Sequence, residues 1–313
     1  MSNELDTETV TTALHVVDGD GHTSIPAWIT RTPDWDLQLD ESGAVLFRGF
    51  GVTEVADFED AISAFTEPDS ESTEESSPRT AVGAKAFTST EYPAEYPIQP
   101  HNEFSYRARY PQRLVFCCVA PADKGGATPL ADCRRALDAL PLQVVERFER
   151  DGVLYVRNFG GLGVSWPEAF GTDSRDDVER YCSDSDVEFE WTKSGLRTAQ
   201  RRPAVVSHPV TGESSWFNHA LIWNVRGTEP REVREALLKL PPELVPTNSY
   251  YGDGTAIEED VIEELRRAYG EATYRFTWEQ GDVLIVDNVL TAHGRDPYAG
   301  PRRILVGMGN RPM

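Results

Sequence analysis

Short apolar runs bounded by glycine and proline dominate the chain after residue 97. Such runs are typical of β-strands, because a helix needs a longer apolar pattern with a period of about 3.6 residues. The predicted strands cover residues 44–48, 113–119, 153–157, 204–207, 215–217, 282–286 and 304–308. Helical spacing of apolar residues predicts helices over residues 55–66, 144–150, 176–182, 232–240 and 258–268.

The order of these elements predicts the fold class. Many short strands with interspersed helices favour a mainly β fold with flanking helices (α+β), built on a jelly-roll barrel. A doubly wound parallel sheet is disfavoured, because strands and helices do not alternate regularly and the sequence contains neither GxGxxG nor a P-loop. Since no repeat and no linker divides the chain, we expect a single domain over residues 1–313, with an N-terminal extension at residues 1–40.

Residues 67–77 interrupt the apolar pattern with glutamate and serine and contain no apolar anchor. This composition predicts a solvated acidic loop. A flexible lid over a binding site is the alternative, since long loops in compact domains are often functional. We therefore expect a mobile lid loop within residues 67–95.

The charge of the chain excludes several classes of partner. Of its 313 residues, 30 are Lys or Arg and 52 are Asp or Glu, which gives a formal charge of −22. Nucleic acids and anionic membranes attract clustered basic residues, so neither is an expected partner. The acidic N-terminus lacks the features of a signal peptide, and the apolar runs are too short to span a bilayer. We expect a cytoplasmic protein with a small-molecule substrate, and a homo-oligomer is compatible with the sequence.

Cys117 and Cys118 lie side by side in the apolar run at residues 114–119. Adjacent strand residues point to opposite faces, so these thiols can neither pair easily nor share a metal. Because the four cysteines form no CxxC motif, we expect reduced and buried thiols. A catalytic cysteine is poorly supported, since apolar surroundings keep a thiol protonated. A serine hydrolase is also disfavoured, because the chain has no GxSxG motif.

Three residues suggest a metal site. His101 and Glu103 form an H-x-E pair that would present both side chains on one face of a strand. His293, which follows the apolar run at 283–286, is a candidate third ligand. Two histidines and one carboxylate on one face of a metal are the arrangement of non-haem Fe(II) oxygenases. On its own, H-x-E is a weak motif, and an ordinary strand histidine is the alternative.

Several sequence blocks carry a resemblance to a known family. They are residues 100–106 (PHNEFSY), 125–132 (GGATPLAD), 216–218 (WFN), 278–282 (WEQGD), 287–288 (DN), 292–295 (AHGR) and 300–303 (GPRR). From about residue 44 to residue 313 the chain resembles the taurine dioxygenase-like (TauD/TfdA) family of Fe(II)- and 2-oxoglutarate-dependent oxygenases. The resemblance is strongest to the natural-product branch that includes syringomycin-pathway aspartyl hydroxylase-like proteins. It implies a double-stranded β-helix (jelly-roll) core.

The resemblance also implies which residues hold iron. His101, Glu103 and His293 match the family's ligands, and glutamate at the carboxylate position matches a recognised variant of the commoner aspartate. Related halogenases have a small residue at that position so that chloride can bind iron. The presence of Glu103 therefore disfavours halogenation.

Two further positions match the site of the cosubstrate. Thr128 and Arg303 match the hydroxyl and the guanidinium that hold the distal carboxylate of 2-oxoglutarate. The adjacent Arg302 is expected on the other side of the strand, as a surface salt-bridge residue. In taurine dioxygenase a second arginine on the same strand face grips the substrate sulfonate. The matching position here lies near Gly307, so a sulfonate substrate is doubtful.

Three polar residues are candidates for contact with the substrate. They are Asn102, which lies between two proposed ligands, Arg157, which is a charge within a predicted strand, and Asn218, which belongs to a family block. Each has a structural alternative. Asn102 is expected to face away from the ligands, Arg157 to pair with one of many acids, and Asn218 to belong to the packed core.

The resemblance implies a 2-oxoglutarate-dependent dioxygenase with Fe(II) as cofactor and 2-oxoglutarate and O2 as cosubstrates. It implies hydroxylation, or another oxidation, of an unactivated C–H bond in an amino acid or amino-acid-derived compound of secondary metabolism, free or attached to a carrier protein. The alternatives are a non-catalytic jelly-roll protein that binds a metal or ligand, and an accessory partner of a biosynthetic carrier protein.

Overall fold

The computed structural model describes residues 14–68, 73–76, 79–90 and 92–312. Its strands are β1 (His15–Asp18), β2 (Ala44–Arg48), β3 (Glu67–Pro68), β4 (Phe87–Thr88), β5 (Ile98–His101), β6 (Arg113–Ala120), β7 (Lys124–Gly125), β8 (Leu130–Asp132), β9 (Val153–Phe159), β10 (Glu188–Trp191), β11 (Leu196–Arg202), β12 (Val205–Ser207), β13 (Ser214–Trp216), β14 (Thr247–Tyr251), β15 (Thr273–Tyr274), β16 (Val283–Asp287), β17 (Thr291–Arg295), β18 (Tyr298–Ala299) and β19 (Arg303–Asn310). Its α-helices are α1 (Ile25–Arg31), α2 (Trp35–Ser42), α3 (Val55–Phe65), α4 (Cys133–Asp138), α5 (Leu142–Asp151), α6 (Trp166–Phe170), α7 (Arg175–Asp184), α8 (Arg231–Leu237) and α9 (Glu259–Ala272), with a 3-10 turn at Pro242–Leu244.

The major sheet has the strand order β1-β2-β16-β6-β19-β3, with β4 also pairing with β19. Strand β1 runs parallel to β2, whereas the other pairs are antiparallel. Its central strands are buried on both faces, so they read as continuous apolar runs rather than as an alternating pattern. On one face Phe47 and Cys117 pack with the N-terminal helices, and on the other Phe116 and Cys118 belong to a separate cluster.

The minor sheet has the order β15-β8-β17-β5. Its Leu130 packs in the same cluster as Phe116 and Ile304 of the major sheet, so the two sheets enclose a common core. Its opposite face is covered by helices, because Ala131 and Ala292 pack with residues of α4 and α9. Two facing sheets of this kind form the double-stranded β-helix that the sequence predicted, with helices outside.

Helix α3 shows how local sequence places one of the covering helices. Its start is set by Asp57, whose carboxylate accepts a hydrogen bond from the backbone N–H of Glu54 at 3.1 Å, the reciprocal bond of a capping box. Its apolar residues recur at helical spacing, and Phe58, Ile62 and Phe65 are buried against the major sheet. The approach is close at Gly307 of β19, where a Cβ atom would overlap with the side chain of Ile62.

A third sheet, β10-β11-β9-β14, extends the molecule beyond the two core sheets. Helices α6 and α7 pack on it through a separate apolar cluster that includes Phe159, Phe170 and Val178. Strands β12 and β13 form a hairpin, and β7 pairs with β18.

The structure confirms that adjacent Cys117 and Cys118 point to opposite faces of their strand and that the four thiols are buried. Cys117 and Cys118 lie in clusters on opposite faces of the major sheet, and all four cysteines are free and buried. Burial raises the pKa of each thiol to about 12. The thiols are therefore protonated at neutral pH, as the apolar surroundings predicted.

The predicted N-terminal extension and the predicted lid loop are only partly covered by the described residues. Of the predicted N-terminal extension, residues 1–13 lie outside the described residues, and residues 15–18 form β1, paired with β2 of the major sheet. Of the predicted lid loop, residues 69–72, 77–78 and 91 lie outside the described residues. Within the described chain, no helix has the length and apolar character needed to cross a membrane.

Candidate metal centre

His101 and His293 are brought together by strand pairing. Strands β5 and β17 are antiparallel neighbours in the minor sheet, and the two histidines lie directly opposite each other in its register. Their ring centroids are 4.6 Å apart. Directly opposed residues in an antiparallel pair point to the same face, so both imidazoles face the same space.

Glu103 joins the histidines from a turn rather than from the strand. Strand β5 ends at His101, and the chain turns at Phe104, which has a positive φ of 56°. The side chain of Asn288 holds this turn, since its Oδ1 accepts from the Glu103 N–H at 2.7 Å and its Nδ2 donates to the Glu103 carbonyl at 2.9 Å. The structure therefore brings the three predicted residues together, but not through the i, i+2 geometry of a strand.

The three side chains form a donor set that fits a metal ion. One ligand atom from each of His101, Glu103 and His293 lies within 4.8 Å of the others. His101 Nδ1 is 2.9 Å from the Gln99 carbonyl, which can only accept, so Nδ1 carries the proton and Nε2 keeps its lone pair. His293 Nδ1 is buried without a hydrogen-bond partner, and Nε2 lies 4.0 Å from Glu103 Oε2. Two imidazoles and one carboxylate match the facial set of non-haem Fe(II) sites.

The protonation states suit metal binding. Burial alone would raise the pKa of Glu103, but Arg79 and the two histidines overcome this and lower the pKa to about 2. Burial, reinforced by the neighbouring His101, lowers the pKa of His293 to about 3. The carboxylate is therefore ionised and the imidazole neutral at physiological pH, which are the forms that bind metals.

A solvent-connected cavity lies between the two core sheets, with the three candidate ligands on its wall. The major sheet contributes apolar residues, including Phe116, Ile304 and Val306. Thr128 lines the cavity and is buried; its Oγ1 accepts a hydrogen bond from Trp278 Nε1 at 3.0 Å. A small molecule could therefore reach the ligands while resting on apolar side chains.

The structure corrects the prediction about the two adjacent arginines. Arg302 lines the cavity, where its Nε donates to the Gly126 carbonyl at 3.0 Å and its Nη2 lies 3.4 Å from Thr128 Oγ1. Burial, with the repulsion of nearby Arg295, lowers the pKa of Arg302 to about 10. Arg303 is exposed and does not line the cavity. The expectation that Arg303 faces the site and Arg302 the surface is therefore wrong.

The same strand corrects the position expected to hold a second arginine. Arg302, which directly precedes β19, lines the cavity together with Ile304 and Val306 of that strand. Gly307 instead faces Ile62 of α3. Val306, four residues after Arg302, lines the cavity, so an apolar residue occupies this position of the cavity wall.

Two of the proposed substrate contacts are structural residues. Asn102 is fully buried and donates through Nδ2 to the Asn288 carbonyl at 2.7 Å, away from the cavity. Asn218 donates to the Ala204 carbonyl and accepts from the Ala220 N–H, both at 2.9 Å. Their amides are used to tie loops together, so neither is positioned to bind substrate.

Arg157 is also placed away from the cavity. Its guanidinium donates to the backbone carbonyls of Glu74 and Glu75 at 3.2 and 2.8 Å. Tyr106 Oη also donates to the Glu74 carbonyl, and Glu74 is completely buried. The described part of the acidic segment is therefore packed against the protein instead of being solvated.

Two cavity residues were not found from the sequence. Arg79, near the acidic segment, forms an ion pair with Glu103 in which Nη2 and Oε2 are 2.7 Å apart. Arg295, two residues after His293, lines the cavity and donates to the backbone carbonyls of residues 92, 93 and 96. Arg295 could have been predicted, because it lies two residues after His293 on the same strand and so on the same face. No local sequence pattern indicates Arg79.

A second acidic and histidine group, Asp40, His208 and Asp287, has a structural explanation. His208 Nδ1 accepts from the Thr211 N–H at 3.1 Å, so Nε2 carries the proton and donates to Asp287 Oδ2. Both ring nitrogens are thus used within the protein. Asp287 also accepts from the N–H groups of residues 289 and 290, which fixes the turn before β17.

The fold and the site define a mononuclear non-haem iron oxygenase that uses 2-oxoglutarate, and comparison with known proteins agrees. The model of the family described as taurine catabolism dioxygenase TauD, TfdA family matches residues 24–308. The chain belongs to this family of Fe(II)- and 2-oxoglutarate-dependent dioxygenases, as its sequence blocks predicted.

Two curated proteins and one solved structure illustrate the relationship. The dapdiamide synthesis protein DdaC of Enterobacter agglomerans is 38% identical over 276 residues, which cover 87% of this chain and 84% of that protein. A clavaminate synthase-like protein of Arabidopsis thaliana is 30% identical over 290 residues, with 87% and 83% covered. PvcB of Pseudomonas aeruginosa, described as an Fe, alpha-ketoglutarate dependent oxygenase from an isonitrile synthetic pathway, has a TM-score of 0.55 at 17% identity, over 94% of this chain and 84% of that one.

Proposed function

We propose that the protein hydroxylates an unactivated C–H bond of an amino acid or an amino-acid derivative in secondary metabolism. Iron would be held by His101, Glu103 and His293, and 2-oxoglutarate by Arg302 and Thr128. The observation that carries the proposal is the common cavity that all five side chains line. A bare metal site would have no need of a half-buried arginine and a hydroxyl in the same cavity as the ligands.

We assign separate roles to the metal ligands, to the 2-oxoglutarate-binding residues and to the apolar wall of the cavity. Bound iron with 2-oxoglutarate supplies the oxidant for a C–H bond, with O2 consumed and succinate and CO2 released. His101, Glu103 and His293 would supply three protein ligands to the metal, a set typical of iron sites that also bind small molecules. The planar guanidinium of Arg302 suits a carboxylate, and Thr128 adds a hydroxyl donor beside it. Apolar walls at Phe116, Ile304 and Val306 would pack against the apolar part of the substrate.

The relatives support the substrate class. One carries the name of dapdiamide synthesis, and PvcB is described as part of an isonitrile synthetic pathway. Both names concern secondary metabolites, so we infer the same setting for this chain. The substrate is proposed to be presented free or attached to a carrier protein, and a screen with both forms distinguishes these cases.

The test of the iron and 2-oxoglutarate site is optical and needs no substrate. Anaerobic addition of Fe(II) and 2-oxoglutarate is expected to produce a weak visible charge-transfer band. The band should be lost in His101→Ala and kept in His22→Ala, which changes an exposed histidine. Absence of the band in the wild-type protein at saturating ligand would contradict the proposal.

The test of the reaction is substrate-triggered release of succinate. Amino acids, and the same amino acids loaded on a carrier protein, are screened for succinate formation coupled to O2 consumption. A substrate should raise the rate above the slow uncoupled turnover, and mass spectrometry should show a gain of one oxygen atom. A product that retains its original mass in every coupled reaction would refute hydroxylation.

A further inference from the structure

We propose that Arg79 binds a carboxylate group of the substrate, which makes this arginine a specificity-determining residue of the cavity. The inference rests on the proposed function, because it treats the cavity as the place where a small molecule meets iron and 2-oxoglutarate. It adds a substrate class, namely a molecule whose carboxylate lies near the carbon to be oxidised.

The first argument is the incomplete pairing of the Arg79 side chain. Only 9% of this side chain is exposed, and its Nη2 donates to Glu103 Oε2 at 2.7 Å. Its Nε is buried without a hydrogen-bond partner, and its Nη1 has the sulfur of Met308 at 3.7 Å. A buried guanidinium left with unused N–H groups is costly, and a carboxylate in the cavity would satisfy them.

The second argument is that the other two arginines of the cavity are already committed. The Arg302 guanidinium donates to the Gly126 carbonyl and to Thr128 Oγ1, and it is the proposed binding partner of the distal carboxylate of 2-oxoglutarate. The Arg295 guanidinium donates through both terminal nitrogens to three backbone carbonyls, those of Tyr92, Pro93 and Tyr96, and only its Nε lacks a partner. Arg79 lacks a partner at Nε and has only a sulfur contact at Nη1, so with Arg302 assigned to 2-oxoglutarate it is the less fully paired of the other two described cavity arginines.

The third argument is charge. Among the residues that the structure describes, three arginines line the cavity and Glu103 is the single carboxylate that does so. Adding Fe(II) increases the positive excess, and the two negative charges of 2-oxoglutarate do not cancel it. In a chain of formal charge −22 this local excess is unusual, and it favours a substrate that brings an anionic group. An ammonium group at the same place would meet like charge.

The position of Arg79 explains what this carboxylate would achieve. Because Arg79 contacts a proposed iron ligand, an anion on the same guanidinium lies within one small molecule's length of the metal. Ser89 and Thr90 line the same cavity and offer hydroxyl donors nearby. The planar fork of an arginine can pair with both oxygens of a carboxylate. This arrangement would hold a C–H bond close to the carboxylate in reach of the oxidant.

The test measures anion binding instead of turnover. The protein is loaded with Zn(II) and saturating 2-oxoglutarate, so that Arg302 is occupied and no oxidation occurs. The probe is trifluoroacetate, followed by 19F line broadening, and trifluoroacetamide serves as the neutral control. Variants are Arg79→Gln, Arg79→Lys and Arg180→Gln, the last removing the same charge from an arginine whose side chain is 67% exposed.

We expect saturable broadening of trifluoroacetate, but not of the amide, in the wild type and in Arg180→Gln. Affinity should fall by about tenfold or more in Arg79→Gln, the size expected when a charged hydrogen bond is lost. Arg79→Lys should retain part of it and, if the glutamine variant does not fold, decides the matter through its own weakened affinity. No saturable binding in the wild type, or equal affinity in the folded Arg79 variants, would overturn the proposal.

Competition identifies the class of anion and its location. Propionate should displace the probe more effectively than methanesulfonate, and the reverse order would overturn the carboxylate assignment. Probe binding that disappears as 2-oxoglutarate is added would place the anion at Arg302 and also overturn it. Failure of the proposed function is seen separately, as a missing charge-transfer band with Fe(II), because the fluorine signal depends on neither iron nor turnover.

Discussion

The two sides of the cavity are held in different ways. On the ligand side, the Glu103 turn is fixed by Asn288, and His101 and His293 are fixed by the register of two paired strands. The second side includes the described residues 79–90, which contact Glu103 through Arg79 and are attached to β19 through the short strand β4 and the bond from the Ser89 N–H to the Ile304 carbonyl.

The difference matches what each side has to do. A metal site needs its ligands fixed to within a fraction of an ångström, so redundant hydrogen bonds are useful there. A substrate has to enter and leave, and elements that move for this purpose come from the less stable parts of a protein. We therefore expect substitutions on the ligand side to lower both the iron affinity and the free energy of unfolding. Substitutions at or next to β19 should change either the 2-oxoglutarate affinity or the free energy of unfolding, but not both.

The largest effect is expected from Glu103→Ala. It removes an iron ligand and leaves the buried Arg79 without its carboxylate. Iron affinity should fall by more than the roughly 100-fold that follows loss of an outer hydrogen-bond partner. The free energy of unfolding, measured in urea, should fall by about 3–5 kcal/mol because half of a buried ion pair remains. Glu190→Ala, at an exposed position, is the control. Hydroxylation by the Glu103 variant at the wild-type rate would refute the ligand assignment.

The next effect is expected from Asn288→Ala. This substitution removes the hydrogen bonds to the backbone N–H and carbonyl of Glu103 and to the Pro111 carbonyl. Unfolding free energy should drop by about 3 kcal/mol, and iron affinity by roughly 10- to 100-fold. Asn158→Ala also loses two carbonyl contacts, but far from the metal. If both variants bind iron equally well, Asn288 does not position the ligand.

Arg302→Gln and Arg303→Gln form a matched pair that tests the corrected register of β19. Only Arg302 lines the cavity, and a charged hydrogen bond contributes about 1.5–3 kcal/mol. The affinity for 2-oxoglutarate, measured by titration of the charge-transfer band, should fall roughly 10- to 100-fold in Arg302→Gln. It should be unchanged in Arg303→Gln. The opposite ranking would restore the assignment made from the sequence.

The smallest effect is expected from Gly307→Ala. The new Cβ would overlap with the side chain of Ile62, so either this side chain or α3 has to shift. Overpacking of this kind costs about 1–3 kcal/mol of unfolding free energy, with 2-oxoglutarate affinity unchanged. Gly270→Ala in α9 has open space around it and should be neutral or stabilising. A selective loss of 2-oxoglutarate binding in Gly307→Ala would show that this position faces the cavity.

The sequence was sufficient to predict that His101, Glu103 and His293 lie together, but not which of two adjacent arginines lines the cavity. His101, Glu103 and His293 stand in blocks of residues whose types are set by the chemistry of the site. Arg302 and Arg303 are followed by Ile304, Leu305 and Val306, which are buried on both faces of the strand. Such a run has no alternating pattern, so nothing local indicates which of two adjacent arginines faces inward.

Residues brought in from distant segments were the least predictable. Arg79 reaches Glu103 from 24 positions away in the sequence, through a chain path that passes β4 and β5. Arg157 is a charge in a strand, as the sequence indicated, but its partners are backbone carbonyls of residues 74 and 75. Contacts of this kind depend on loop conformation, for which the pattern of apolar residues gives no signal.

The most direct test of the central claim is an anaerobic crystal structure with Mn(II) and 2-oxoglutarate bound. We predict that the metal is coordinated by His101, Glu103 and His293, and that the distal carboxylate of 2-oxoglutarate lies on Arg302 and Thr128. A metal bound at another group of residues, or a distal carboxylate held by Arg303, would contradict the account.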